Sequence, residues 1–172
     1  MPSDSPSPIP SSPEFAIPPA SIRLAGTADA QSLGAWLQSR HALPVPAARA
    51  RQALLEGLLA RPERGACVVA QDSAGPDLLG CLPVTLMPHL ELAGLAALAT
   101  EWWAGDVPAD RGAALLLDCF GLLADWCRAH GVRHLLLAPA LLAAPQAAAA
   151  GFEPHASGLW HRNLSPATKM LG

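Results

Sequence analysis

The stretch E-W-W-A-G-D-V-P-A-D-R-G-A-A-L-L-L, residues 101–117, decides the fold. It reads as the end of a strand, a loop that turns on Gly105 and Pro108, and the start of a helix. At such a junction the first helical N–H groups lack internal acceptors, and the helix dipole favours an anion. An acid, two tryptophans and an arginine are gathered here in a chain otherwise rich in alanine and leucine.

The helix that follows is expected from about Arg111 to His130. Leu115, Leu116, Cys119, Leu122, Leu123 and Trp126 supply most of an apolar face, Asp118, Asp125 and Arg128 share the opposite side, and Gly131 supplies the stop. Upstream, L-A-A-L-A-T-E-W-W-A (95–104) reads as a strand with Glu101 and Trp103 on one face and Thr100 and Trp102 on the other. Downstream, V-R-H-L-L-L-A (132–138) reads as a strand parallel to it, because a crossover helix separates the two.

The remaining elements follow from similar cues. S-I-R-L-A (21–25) is a first strand, and Thr27 with Asp29 can cap a helix over about Ala28–Arg40. H-A-L-P-V-P (41–46) breaks that helix, and a second begins after Pro46 with Leu54, Leu55, Leu58 and Leu59 at helical spacing. A-C-V-V-A-Q (66–71) and L-L-G-C-L-P-V-T-L-M-P (78–88) form a hairpin across a Ser/Gly/Pro turn, with Pro83 marking an edge or a bulge. P-Q-A-A-A-A (145–150) is a short helix and G-L-W-H-R-N-L (158–164) a last strand. The order β-α-α-β-β-β-α-β-α-β describes an α/β (α+β) domain: a mixed, mostly antiparallel sheet with helices on both faces.

Composition bounds the function. The 172 residues suit one domain, read as residues 21–165, between a Pro/Ser-rich tail at 1–20 and a short tail at 166–172. A net charge of −3 offers no footprint for nucleic acid or for an anionic membrane. The most apolar run, 135–152, falls short of the ~20 residues of a membrane span and is broken by Pro139 and Pro145. The N-terminus lacks the basic and apolar regions of a secretory signal, and Cys67, Cys81, Cys119 and Cys127 form no CxxC pair, so a cytoplasmic protein with reduced thiols and no metal is expected.

Element order and local motifs together resemble the GNAT superfamily of acetyl-CoA-dependent N-acyltransferases over about residues 21–164. The motifs are the acid of T-E-W-W-A, P-A-D-R-G leading into the long helix, the W-C-R-A-H-G-V ending, A-A-A-A-G-F-E-P, and H-L-E-L-A-G, which is similar to a Ser-Leu-Glu-x-x-Gly turn. The resemblance implies transfer of an acetyl group from acetyl-CoA to a primary amine of a small molecule or peptide. It implies Glu101 as the base that takes the amine proton, directly or through water. It implies that Trp103 and Ala104 offer backbone groups to pantetheine, and that Arg111, Gly112, Ala113 and Ala114 surround the pyrophosphate. Family members often dimerise through late strands, which extends the expectation to a homodimer.

This chain departs from the family pattern in named places. Ala114 and Leu116 stand where glycines are usual, and Asp106 and Asp110 bring negative charge near a polyanion. The chain has no tyrosine, and Ala147 falls about where the family's general acid stands. A second reading therefore stays open, a GNAT-fold module that binds acyl-CoA or a protein partner without turnover. His41, His89, His134 and Glu91 are the other groups that could face an acceptor, each alone in its segment.

Overall fold

The computed structural model describes residues 19–165. The expected tails lie outside them, except that Pro19 is described and Ala20 opens the first strand. The elements run β1 (Ala20–Leu24), a 3-10 turn (Thr27–Asp29), α1 (Ala30–Arg40), α2 (Val45–Leu59), β2 (Gly65–Asp72), β3 (Leu78–His89), β4 (Gly94–Ala99), β5 (Trp103–Ala104), α3 (Ala109–Ala129), β6 (His134–Leu137), α4 (Ala144–Ala149), β7 (Glu153–Pro154) and β8 (Trp160–Asn163). The expected order holds, with the fourth strand split in two and a two-residue strand added before the last.

The sheet is ordered β1-β2-β3-β4-β6-β8-β7, with β5 also on β3. All pairs are antiparallel except β4 with β6. That parallel pair needs a crossover, and α3 is the crossover.

Period-two alternation divides the core. Val68, Ala70, Leu82 and Val84 turn to one face, where they join α3 residues Leu115, Leu116, Cys119 and Leu123. Cys67, Val69 and Cys81 turn to the other and meet Leu33 and Leu37 of α1 and Leu55 of α2. The adjacent tryptophans separate in the same way, Trp102 packing with the α3 cluster and Trp103 with the α1–α2 cluster. At its C-terminus α3 closes through Gly131 at φ 71°, with the Val132 N–H donating to the Cys127 carbonyl at 2.8 Å.

The Asp29 expected to cap the first helix has a wider role. Its carboxylate accepts the Gly26 N–H at 2.7 Å and binds Arg23 of β1 through both guanidinium nitrogens, at 2.8 and 2.9 Å. The Arg23 hydrogen bond holds the Asp29 carboxyl below its ordinary range. The helix entrance is thereby tied to the sheet edge.

Helices α1 and α2 cover only the β1–β3 half of their face. On the other half β4, β6 and β8 bring together residues far apart in the chain. The His134 Nδ1 lies 3.1 Å from the His161 Nε2, and the His155 ring packs edge-on to both His161 and His89. His134 and His161 titrate below the usual imidazole range, chiefly because burial disfavours their charged form. A backbone hydrogen bond with Leu92 opposes this at His134 and Glu153 opposes it at His161, whereas neighbouring imidazoles reinforce it for both and Arg133 for His134.

Two outcomes are expected. A Cβ on Gly80 would lie 2.1 Å from the Trp102 ring, so Gly80→Ala should lower the free energy of unfolding in urea by about 1–3 kcal/mol, the usual cost of overpacking. For the histidines, the unfolded chain takes up protons near pH ~6.5 while the folded pair resists them. Thermal stability should therefore be fully present above that pH and decline as pH falls through the folded pair's lower range. His161→Gln should flatten that slope in Tm measured across pH 7.5 to 5, an interval chosen to bracket ~6.5.

Candidate functional site

The site is organised by an irregularity in β3's pairing. Leu98 faces Thr85 and Trp103 faces Cys81, so five steps of the β4–β5 segment match four of β3. One extra residue is accommodated over Thr100–Trp102, a β-bulge that divides what the sequence presents as one strand. Pro83 lies opposite. The Leu86 N–H donates to the Arg64 carbonyl on the β2 side, so by alternation residues 81, 83 and 85 turn their backbone towards β4 and β5. At 83 that position has no N–H to give, and the ladder is interrupted there.

Beyond the bulge β5 follows β3 while β6 leaves. The last contact between β4 and the β6 side is the Ala138 N–H donating to the Ala99 carbonyl at 2.9 Å. Gly105 then donates to Leu79 at 2.8 Å, which places Trp103 among the residues bonded to β3. The Ala104 N–H and C=O consequently point to the edge that β6 has left. Among the described residues no strand pairs with that edge.

Glu101 sits on the bulge, and its Oε2 accepts a 2.9 Å hydrogen bond from the Trp103 indole N–H. The spacing of two residues that put both side chains on one face in the sequence survives the bulge. Both line a cavity of about 490 Å³ beneath α1 and α2, together with His41, Arg51, Arg64 and Thr85. His41 stacks on Trp103 with ring centres 6.2 Å apart. Arg51 is committed to the scaffold, bonding the His41 carbonyl at 3.0 Å and the Gln38 side chain. The end of α1 is pinned from another side, where Arg40 binds Asp106 through paired bonds of 2.5 and 2.6 Å. That guanidinium holds the Asp106 carboxyl below its ordinary range.

On the opposite side of the sheet, α3 begins at Ala109, two residues before the expected Arg111. The Gly112 N–H already donates to the Pro108 carbonyl at 2.9 Å. The donors of the first turn that lack an intrahelical acceptor are therefore those of Ala109, Asp110 and Arg111. Gly112 is buried, with the Ala104 and Val107 side chains nearest the place where its Cβ would be. Ala113 and Arg111 are partly buried and Ala114 is exposed. Leu116 faces the core at 1% exposure, so its bulk is turned away from the helix entrance.

Other candidates are placed elsewhere. His89 and His134 belong to the histidine group on the sheet's open half, which only strand pairing reveals. Glu91 lies 3.9 Å from His155 in that same region. Ala147 is fully buried. The four cysteines are free and buried, and burial pushes the thiols of Cys119 and Cys127 up to about 12, which leaves them unsuited as nucleophiles at neutral pH. Among the described residues no group of three or more His, Cys, Asp or Glu is placed to hold a metal ion, and no helix is long and apolar enough to cross a membrane.

No protein-family model and no curated protein matches the sequence. Solved structures do match. A GNAT-family N-acetyltransferase of Escherichia coli, solved in complex with CoA, is 17% identical with a TM-score of 0.61, over 87% of this chain and 83% of that one. A GNAT-family acetyltransferase of Streptococcus pneumoniae is 15% identical with a TM-score of 0.61, over 86% of this chain and 100% of that one. An integron cassette protein from the mobile metagenome of Cole Harbour Salt Marsh is 24% identical with a TM-score of 0.62, over 84% and 91%. This chain's mixed, mostly antiparallel sheet with its helices is the GNAT fold.

Proposed function

We propose that this protein is an acetyl-CoA-dependent N-acyltransferase that acetylates a primary amine. The observation that carries this reading is the placement of Glu101 on the bulge, facing a cavity on one side of the sheet and standing beside the open β5 edge. The E. coli structure with CoA supports the choice of cofactor, as a likeness of fold.

The residues present fit such a molecule in two places. The outward-turned backbone of Ala104, next to Trp103, suits an extended amide chain. The first-turn N–H groups of α3, with Arg111, suit a diphosphate. Gly112, Ala113 and Ala114 keep the surface beside that turn low. Asp106 is paired with Arg40, which removes one of the two carboxylates that would oppose an anion there. Bound acetyl-CoA would supply the acyl group as a reactive thioester.

The chain's own residues perform the remaining work. The cavity orients the amine; Glu101, steered by the Trp103 indole, accepts its proton directly or through a water; and the backbone of the fourth strand at its open edge would polarise the thioester carbonyl. No tyrosine is available as a general acid, so departure of the thiolate relies on its own stability. Four buried reduced thiols accord with a cytoplasmic setting.

A second reading has its own support: a GNAT-fold module that binds without turnover. It is favoured by the helical start at Ala109, which replaces a glycine-rich loop, and by buried Ala147. Glu101→Gln separates the two, because the amide oxygen can still accept the indole N–H while the base is lost. On the enzymatic reading its kcat should fall about 10²–10⁴-fold with CoA affinity unchanged. Calorimetry of the purified protein should detect CoA binding; no heat at millimolar ligand would sink both the enzymatic and the acyl-CoA-binding readings.

A further inference from the structure

We propose that the acceptor is an apolar primary amine that also carries an acid group remote from the amine, lying between Glu101 and Arg64. This rests on the acyltransferase reading above and adds the substrate class.

The cavity wall is mainly hydrocarbon, with Leu37 of α1, Leu43 of the link, and Leu54, Leu55 and Leu58 of α2 facing Trp103 across the space. Leu54 is 75% exposed although it lines the cavity, so an apolar ligand body would cover surface now open to solvent. A small polar amine would leave that hydrocarbon wet and would find few partners for its own polar groups.

The two arginines of the wall differ in availability. Arg51 is held by His41 and Gln38, as described above. The Arg64 guanidinium has no hydrogen-bond or ion-pair partner among the described residues, although its carbonyl accepts the Leu86 N–H. Arg64 enters from the β2 side of β3, level with Leu86, and Glu101 from the β4–β5 side, level with Leu82 and Pro83, so two strand spacings across and three to four residues along the strand separate their backbones by about 15 Å, a span that their two side chains and a ligand between them can bridge. One cavity thus presents a carboxylate for an ammonium at one side, a guanidinium for a carboxylate at the other, and hydrocarbon between. An amine and an acid on opposite ends of an apolar body match all three.

Four amines test this as a two-by-two comparison with acetyl-CoA: benzylamine, its para-carboxylate, γ-aminobutyrate and ethanolamine. The para-carboxylate should give the highest kcat/KM, about two- to fivefold over benzylamine, as expected for a charge pair with an exposed arginine. Both non-aromatic amines should fall below benzylamine. Arg64→Gln should bring the ratio of para-carboxylate to benzylamine close to one, and Arg64→Lys should restore part of it. Equal use of ethanolamine, or a ratio unmoved by Arg64→Gln, overturns the inference while acetyl transfer stands. Acetyl-CoA binding with none of the four amines acetylated also overturns it. Absence of acetyl-CoA binding removes the acyltransferase reading and this one with it.

Discussion

A proline in an interior strand cannot complete a hydrogen-bond ladder, and much of this molecule's site geometry depends on that constraint at Pro83. β3 is flanked by β2 on one side and by β4 and β5 on the other, so an N–H missing from its second side must be met by a change in the neighbour. The neighbour inserts one residue, bulges, and resumes pairing at Trp103. The bulge turns Glu101 into the cavity, and β5 then stays with β3 instead of continuing beside β6. An acid and an open edge thus arise at one place from one local irregularity.

The two faces of the sheet divide the work. The α3 face is filled by a continuous apolar cluster in which Leu115, Leu123 and Leu137 are fully buried. The α1–α2 face is covered over only half its width, and its core of Leu33, Leu37 and Leu55 borders the cavity. The helices of the covered half are held by directional contacts: Arg23 with Asp29, Arg51 with the His41 carbonyl, and Arg40 with Asp106. These bonds fix where helices end more than they add stability, since exposed ion pairs contribute little.

How much could be read from the chain follows from how local each determinant is. The end of α3 was legible because Gly131 alone supplies the left-handed residue. The opposed faces of Trp102 and Trp103 follow from the two-residue period, which also placed Glu101 beside Trp103. The start of α3 was not legible: a helix can begin directly after Pro108, and Asp110 is at home in a first turn, so nothing local favours Arg111 over Ala109. The split of the fourth strand depends on which residue of β3 faces which residue of β4, a property of pairing and not of either segment. Pro83 was the available clue, and it pointed to a bulge without saying in which strand. The histidine group and Arg64's place in the cavity wall depend on non-local contacts, so the sequence held no signal for them.

The separation of the two clusters has an evolutionary consequence. Of the residues that line the cavity, Leu58 of α2 packs against the α1–α2 cluster, while Leu54 of α2 and Arg64 of the turn before β2 are exposed, and none of the three belongs to the α3 core. Changes at sites without shared neighbours combine nearly independently, and exposed positions cost little when altered. What the cavity admits is therefore free to drift by substitution in one shallow layer, while the framework beneath carries the stability that such drift consumes.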